Sequence, residues 1–358
     1  MVRRIGILTS GGDCAGLNAV IRGAALRAAE ADCQLVGIRN GTMGLLARPP
    51  EADLLGPELA DTAVLRRGGT MLGTTNRGDP FAFPMPDGRH VDRSEEVIAG
   101  YRLLGLDALI GIGGDGSFAI LRRLAKQGGI NLVGVPKTID NDVDLTETSI
   151  GFPTAVEVAT HALDQLQPTA ASHSRVMVLE LMGRDAGHIA ISAGIAGGAD
   201  VVLIPEIPWR LEKVKEKIEA LRTAGRNFAL IVAAEAVRTE SGAPATVKLS
   251  LGEVRYGGIG HYLGHVIAEA TGAETRVMVL GHLQRGGQPI AQDRVLGSAF
   301  GVRAVELVLE GRFDRMVALW HREVTDVPLD EAIRAPRIVE RNGTLVRTAR
   351  GLGICLGD

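Results

Sequence analysis

The chain has 358 residues, 46% hydrophobic and 23% charged, with a formal net charge of −3; this balance suits a folded globular protein and excludes extensive disorder. Aromatic residues make up only 3%, too few for a base-stacking platform, and the near-neutral charge gives no general pull toward nucleic acid or anionic membrane. No run of eighteen apolar residues occurs, MVRRIGILTSGGD lacks a signal-peptide core, and Cys14, Cys33 and Cys355 show neither zinc nor C-x-x-C spacing, so a cytoplasmic protein is expected.

In chain order, residues 4–9 (RIGILT) predict a buried strand, SGGDCAG a turn and 16–30 an Ala-rich helix. A strand over 34–39 and a helix near 60–66 follow, then a loop over 67–90 rich in Gly, Pro and Thr, and a helix over 92–104. Short apolar runs at 107–112 and 131–136 read as buried parallel strands. Beyond them lie helix 152–166, strand 175–181, helix 185–196, strand 200–204, helix 210–223, strand 227–233, helix 258–271, strand 274–280 and helix 290–310. The polar segment 236–257 reads as an excursion, and 331–358 is too weakly patterned to assign. Alternation of this regularity predicts a doubly wound α/β fold with mainly parallel sheets.

Chemistry concentrates just past the predicted strand ends, where open α/β sheets bind ligands. Gly11-Gly12-Asp13 follows the first strand, Gly113-Gly114-Asp115-Gly116-Ser117 the strand at 107–112, and Lys137-Thr138-Ile139-Asp140-Asn141-Asp142 the strand at 131–136. Glycines let backbone amides approach an anion, and carboxylates beside them suit a divalent cation bridging phosphates. Residues 111–116 also satisfy G-x-G-x-x-G, the dinucleotide fingerprint, yet Asp115 inside that turn repels a pyrophosphate unless a metal lies between. No G-x-x-x-x-G-K-[ST] occurs. Of Arg77, Arg175, Arg184, Arg276, His282 and Arg285, four lie at or just past predicted strand ends in Gly-containing turns, and arginine grips phosphate bidentately. His261, His265 and Glu269 recur at helical spacing but read as a polar helix face, not a metal site. Metal-assisted phosphoryl transfer fits these residues better than a dinucleotide-dependent dehydrogenase, or than a non-catalytic sugar-phosphate sensor, which needs no base.

The motifs L-T-S-G-G-D-x-x-G-x-N-A, G-G-D-G-S, P-x-T-I-D-N-D, S-H-S-R-x-x-x-x-E-x-M-G-R and L-G-H-x-Q-R-G-G, in order over residues 3–310, make the chain similar to the 6-phosphofructokinase family. The resemblance implies two Rossmann-like lobes with the active site in the cleft between them. The larger, residues 1–150 with 284–335, would bind the phosphoryl donor and magnesium; the smaller, 151–283 with 336–358, would bind the sugar phosphate. It implies Asp140 as base, Asp115 as the Mg2+ ligand, and Thr138 and Asp142 flanking the base. Gly12, Arg77, Gly114, Gly116, Ser117 and Lys137 would bind the donor, with Arg77 and Arg184 on the transferring group. Arg175, Arg276, His282 and Arg285 would hold the sugar phosphate; Glu235 and the turn Met182-Gly183-Arg184 would hold the sugar hydroxyls. Two of these arginines reach across from a neighbouring subunit in the family, implying a homo-oligomer, with a tetramer favoured.

The donor signature is mixed. Gly116 matches ATP-using members, where pyrophosphate users carry aspartate; Lys137 matches pyrophosphate users; and Ile120 and Thr42 replace residues that line the nucleoside in ATP users. ATP is the favoured donor, with pyrophosphate or ADP as alternatives. Arg22 and Asp200 match positions of the family's effector site, whereas Asn227 and Phe228 stand where regulated members are basic, so ADP and phosphoenolpyruvate control is not implied.

Overall fold

The computed structural model describes residues 2–76, 78–248 and 254–358, and divides into two compact bodies. The first comprises Met1–Thr138, Asp142–Thr154 and Arg285–Pro336; the second comprises Ile139–Asn141, Ala155–Gln284 and Arg337–Asp358.

The first body is built on an eight-stranded sheet. Its order is Glu323–Pro328, Arg315–Trp320, Leu132–Thr138, Ala108–Gly113, Arg4–Thr9, Gln34–Ile38 and Ala52–Leu55, with Ile150–Gly151 beside Leu132–Thr138. The central strands run parallel, in register Ile5↔Ala108 and Leu109↔Leu132. Ala108–Gly113 and Leu132–Thr138 are buried throughout, which explains their unbroken apolar runs, since a parallel strand is covered on both faces. The outer pairs, Gln34–Ile38 with Ala52–Leu55 and Arg315–Trp320 with Glu323–Pro328, are antiparallel.

Helices Leu17–Glu30 and Ala291–Leu309 lie against each other with backbone almost touching backbone. A Cβ on Gly301 would lie 2.2 Å from the Val20 carbonyl oxygen, and one on Gly23 would lie 2.5 Å from that of Ser298. Asp293, fully buried, joins the same helix to the start of Phe152–His173: its carboxylate accepts from the amides of Gly151 and Thr154, both at 2.8 Å, and from the Thr154 hydroxyl.

The second body carries a four-stranded parallel sheet ordered Val201–Leu203, Ala229–Ala234, Val176–Leu181 and Thr275–Val279. Helices His188–Ala196, Leu211–Thr223, Ile259–Thr271 and Thr344–Gly351 belong to it. The tail, unassigned from sequence, completes the sheet edge: the Val202 amide donates to the Cys355 carbonyl and the Cys355 amide to that of Asp200, both at 2.9 Å. The excursion after Ala234 holds an antiparallel pair, Thr246–Lys248 with Val254–Tyr256.

The predicted helix near 60–66 is a pair of 3-10 turns, Pro57–Ala60 and Thr62–Arg66. The helix predicted to end at 166 continues to His173 through Pro168. A further helix, Asp115–Gly128, follows the second Gly-rich motif. No helix among the described residues is long and apolar enough to cross a membrane.

Candidate active site

In the first body, three motif segments leave neighbouring parallel strands at their carboxyl ends. Arg4–Thr9, Ala108–Gly113 and Leu132–Thr138 are adjacent in the sheet, so the turns at Gly11, Gly114 and Thr138 emerge side by side. Gly11 has φ +82, a left-handed conformation only glycine adopts without strain. Its amide donates to the Thr75 carbonyl at 2.9 Å, and its carbonyl accepts from Thr74 Oγ1 at 2.7 Å. Lys137, only 4% exposed, donates through Nζ to the carbonyls of Ser10 at 3.0 Å and Gly12 at 2.5 Å. Arg285 Nη1 donates to the Asp13 carbonyl at 3.1 Å. Gly12 leaves room for that guanidinium, because a Cβ there would lie 2.7 Å from Nη1.

Gly114 caps the helix Asp115–Gly128 in extended conformation and Asp115, half-buried, is its first residue. A helix N-terminus concentrates unpaired amides and positive dipole, which favours phosphate. Ser117 folds back on the first turn, its Oγ 3.1 Å from where a Gly11 Cβ would stand. Gly116 is exposed, and a Cβ there would meet nothing within 4 Å. Gly111 and Gly113 lie inside the strand, where a Gly111 Cβ would strike the Leu121 side chain at 2.6 Å. The first half of the G-x-G-x-x-G match therefore falls on buried strand, which argues against the dinucleotide reading.

After Thr138 the chain stays buried. Thr138, Asp140, Asn141 and Asp142 are 9%, 4%, 2% and 6% exposed. Asn141 takes a left-handed conformation, φ +55. Buried carboxylates are costly unless hydrogen-bonded or paired, and such groups cluster at functional sites. In the first body the return of this loop is pinned by the Thr146 hydroxyl, which donates to the Thr148 carbonyl and accepts from the Leu319 amide, both at 3.0 Å, and by Cys14 Sγ on the Ile150 carbonyl at 3.4 Å. Burial pushes that thiol up to about 12, so Cys14 is not a nucleophile.

The second body holds the acceptor-side residues of the sequence reading except Thr138, Asp142 and Arg285. In the turn Met182-Gly183-Arg184, Gly183 has φ +156 and Arg184 φ +49. Glu235 Oε1 accepts from the amides of Gly183 at 3.2 Å and Arg184 at 2.9 Å, while Gln284 Oε1 accepts from Met182 at 2.9 Å. Arg175 and Arg276 converge on Glu274, Arg175 through Nη2 at 2.9 Å; the Arg175 hydrogen bond holds the Glu274 carboxyl below its ordinary range. His282 lies half-buried in the 3-10 turn Gly281–Arg285. Arg285 groups with the first body, its Nη1 on the Asp13 carbonyl, whereas Arg175, Arg276 and His282 group with the second. Arg77 lies outside the described residues.

Among the described residues no group of three or more His, Cys, Asp or Glu side chains could hold a metal ion by itself. The donor set instead suits magnesium, which commonly takes one or two carboxylates and completes its shell with water and substrate phosphate. His265 and Glu269 form an exposed pair at 3.5 Å on a helix surface, as a polar face would. Asp200 accepts from both terminal nitrogens of Arg226, at 2.7 and 2.9 Å, and Arg226 stacks 4.2 Å from the Phe228 ring. Arg22 donates to the Ala60 carbonyl at 3.2 Å.

Sequence reasoning missed Gln284 and Asp293. Gln284 stood inside a quoted motif, but an uncharged side chain carries no sign of the amide it holds. Asp293 sits 142 residues from Gly151 in the chain, a separation that no local pattern reveals.

A family model described as phosphofructokinase matches residues 4–308. An ATP-dependent 6-phosphofructokinase 1 of Synechocystis sp. is 61% identical, covering 100% of this chain and 99% of its own. A protein of the same name from Nostoc sp. is 60% identical over 99% of both chains. The solved phosphofructokinase of Saccharomyces cerevisiae superposes with TM-score 0.77 at 30% identity, covering 93% of this chain and 45% of the yeast chain.

Proposed function

The chain belongs to the phosphofructokinase family, and we propose that it transfers the γ-phosphoryl group of ATP to the 1-hydroxyl of fructose 6-phosphate. The observation that carries the reading is the row of turns at Gly11, Gly114 and Thr138 leaving adjacent parallel strands. Amides for a polyphosphate, a carboxylate at a helix start and a buried Thr-Ile-Asp-Asn-Asp loop there follow one another on neighbouring strand ends.

The 1-hydroxyl oxygen attacks the γ-phosphorus, the bond from that phosphorus to the β–γ bridging oxygen breaks, and ADP leaves with the electron pair. Asp140 accepts the hydroxyl proton as the bond forms, help of a kind worth roughly 10²–10⁴-fold. Arg77 and Arg184 neutralise charge on the transferring group, and the amides of the Gly11 and Gly114 turns hold the donor. Asp115 would hold Mg2+, which when bound would offset negative charge on the donor. Glu235 fixes the Gly183 and Arg184 amides, and so the orientation of a turn that meets the sugar. Thr138 and Asp142 orient the acceptor beside the base; Arg175, Arg276, His282 and Arg285 bind its 6-phosphate. Positioning and charge neutralisation account for the rate, with no covalent intermediate. Gly116 leaves open space for a nucleotide, which supports ATP as donor. A homotetramer is the proposed assembly; light scattering that gives a monomer would reject it.

The test is a coupled assay with fructose 6-phosphate and magnesium against ATP, ADP and pyrophosphate in turn. ATP turnover at least tenfold above the others is expected. Turnover with pyrophosphate alone would move the donor assignment to the alternative, and none with any donor would reject the function.

A further inference from the structure

We propose that Lys137 and Arg285 are positioning residues for the phosphoryl donor, holding the carbonyls of the Ser10–Asp13 turn so that its amides face the phosphates. The inference rests on the phosphotransferase reading above. Lys137 is 4% exposed, and its Nζ lies on the Ser10 and Gly12 carbonyls at 3.0 and 2.5 Å. It sits against the turn, 3.4 Å from where a Gly11 Cβ would stand. A buried ammonium needs such acceptors. Arg285 continues the row on the Asp13 carbonyl at 3.1 Å, and Thr74 Oγ1 holds the Gly11 carbonyl at 2.7 Å.

Four consecutive carbonyls, Ser10 to Asp13, are thus each held by a side chain of the first body. In a planar trans peptide the carbonyl and the following N–H point in opposite directions. Holding the carbonyls of Gly11, Gly12 and Asp13 therefore fixes the amides of Gly12, Asp13 and Cys14, each pointing away from the side chain that holds the carbonyl before it. Successive amides fixed in a turn are the elements of an anion-binding concavity. Lys137 and Arg285 also add positive potential beside the turn. On this geometry Lys137 does not select pyrophosphate by ligating it. It stiffens a turn that serves any polyphosphate, and donor choice falls to the space at Gly116.

The experiment is steady-state kinetics of Lys137→Met and Lys137→Gln beside the wild type, varying donor and fructose 6-phosphate separately. A positioning role predicts a donor KM raised about tenfold in Lys137→Met, with kcat within threefold and the fructose 6-phosphate KM within twofold. Lys137→Gln, which keeps a hydrogen-bond donor, recovers part of the loss. A hundredfold fall in kcat with donor KM unchanged would make Lys137 a ligand of the transferring group and overturn the proposal. Unchanged KM values with a lowered melting temperature would reduce it to core packing and also overturn it. Should neither variant fold, Arg285→Gln decides: a raised donor KM beside its acceptor defect supports the pair, and an acceptor defect alone rejects it. Wild-type turnover separates the two readings, since a wild type inactive with ATP, ADP and pyrophosphate sinks both, whereas an active one leaves only the inference at stake.

Discussion

Replacing Gly116 by aspartate tests the donor assignment without disturbing the fold. Gly116 is exposed, lies in the first turn of the helix Asp115–Gly128, and offers open space to a Cβ. Aspartate is slightly better than glycine within a helix, and a carboxylate near a helix start is favourable by about 0.3–1 kcal/mol. The melting temperature of Gly116→Asp should therefore match or slightly exceed that of the wild type. Donor binding should suffer instead. A carboxylate roughly 6 Å from a phosphate charge, at an effective dielectric near 20, repels it by about 3 kcal/mol, and the side chain also fills space a nucleoside needs. Each ~1.4 kcal/mol is tenfold, so kcat/KM for ATP should fall roughly a hundredfold. Pyrophosphate, lacking the nucleoside, should lose less. The assay is coupled turnover at saturating fructose 6-phosphate with ATP varied. A folded variant whose ATP kcat/KM stays within twofold of the wild type would refute the argument.

Asp140→Asn should reduce turnover at least a thousandfold while fructose 6-phosphate still raises the melting temperature as in the wild type; near-normal turnover would remove Asp140 as base. His188, buried and with Nε2 3.3 Å from the Arg337 carbonyl, is pushed by burial from 6.5 to about 4. The unfolded imidazole takes its proton near pH 6.5 and the folded one only near 4, so this group's stability contribution is full above about 6.5. It should fall by up to roughly 3 kcal/mol as pH drops to 4. Urea melts of His188→Gln should lack this slope, and curves parallel to the wild type would contradict it. Gly301→Ala should lower stability by about 2 kcal/mol, because the new methyl overlaps the Val20 carbonyl; an unchanged melting temperature would contradict the close helix crossing.

Strand runs such as Ala108–Gly113 were legible because burial on both faces writes an unbroken apolar run. The turns after them were legible because glycine and aspartate there carry chemistry. The helix Asp115–Gly128 escaped notice although Phe118, Leu121, Leu124 and Ala125 make its buried stripe; its first residues belong to a motif that reads as loop. The helix predicted over 152–166 runs on through Pro168 to His173, since tertiary packing can outweigh one missing N–H. What stayed invisible was pairing at long range. Nothing in the sequence near Lys137 announces the carbonyls of Ser10 and Gly12, and nothing near Arg285 announces Asp13.

The interleaving of the two bodies bears on how the polypeptide acquires its shape during synthesis. The first body takes its strands Arg315–Trp320 and Glu323–Pro328 from beyond residue 284, and the second takes Arg337–Asp358. A nascent chain that has reached Gln284 holds all four strands of the second body's sheet but lacks two of the first body's, so the edge at Leu132–Thr138 waits for late segments to arrive. Truncation near that point should yield an aggregating product rather than an isolated lobe. Pairing of such distant segments also favours slow folding, and makes this chain a natural client of chaperones that shield unfinished sheets.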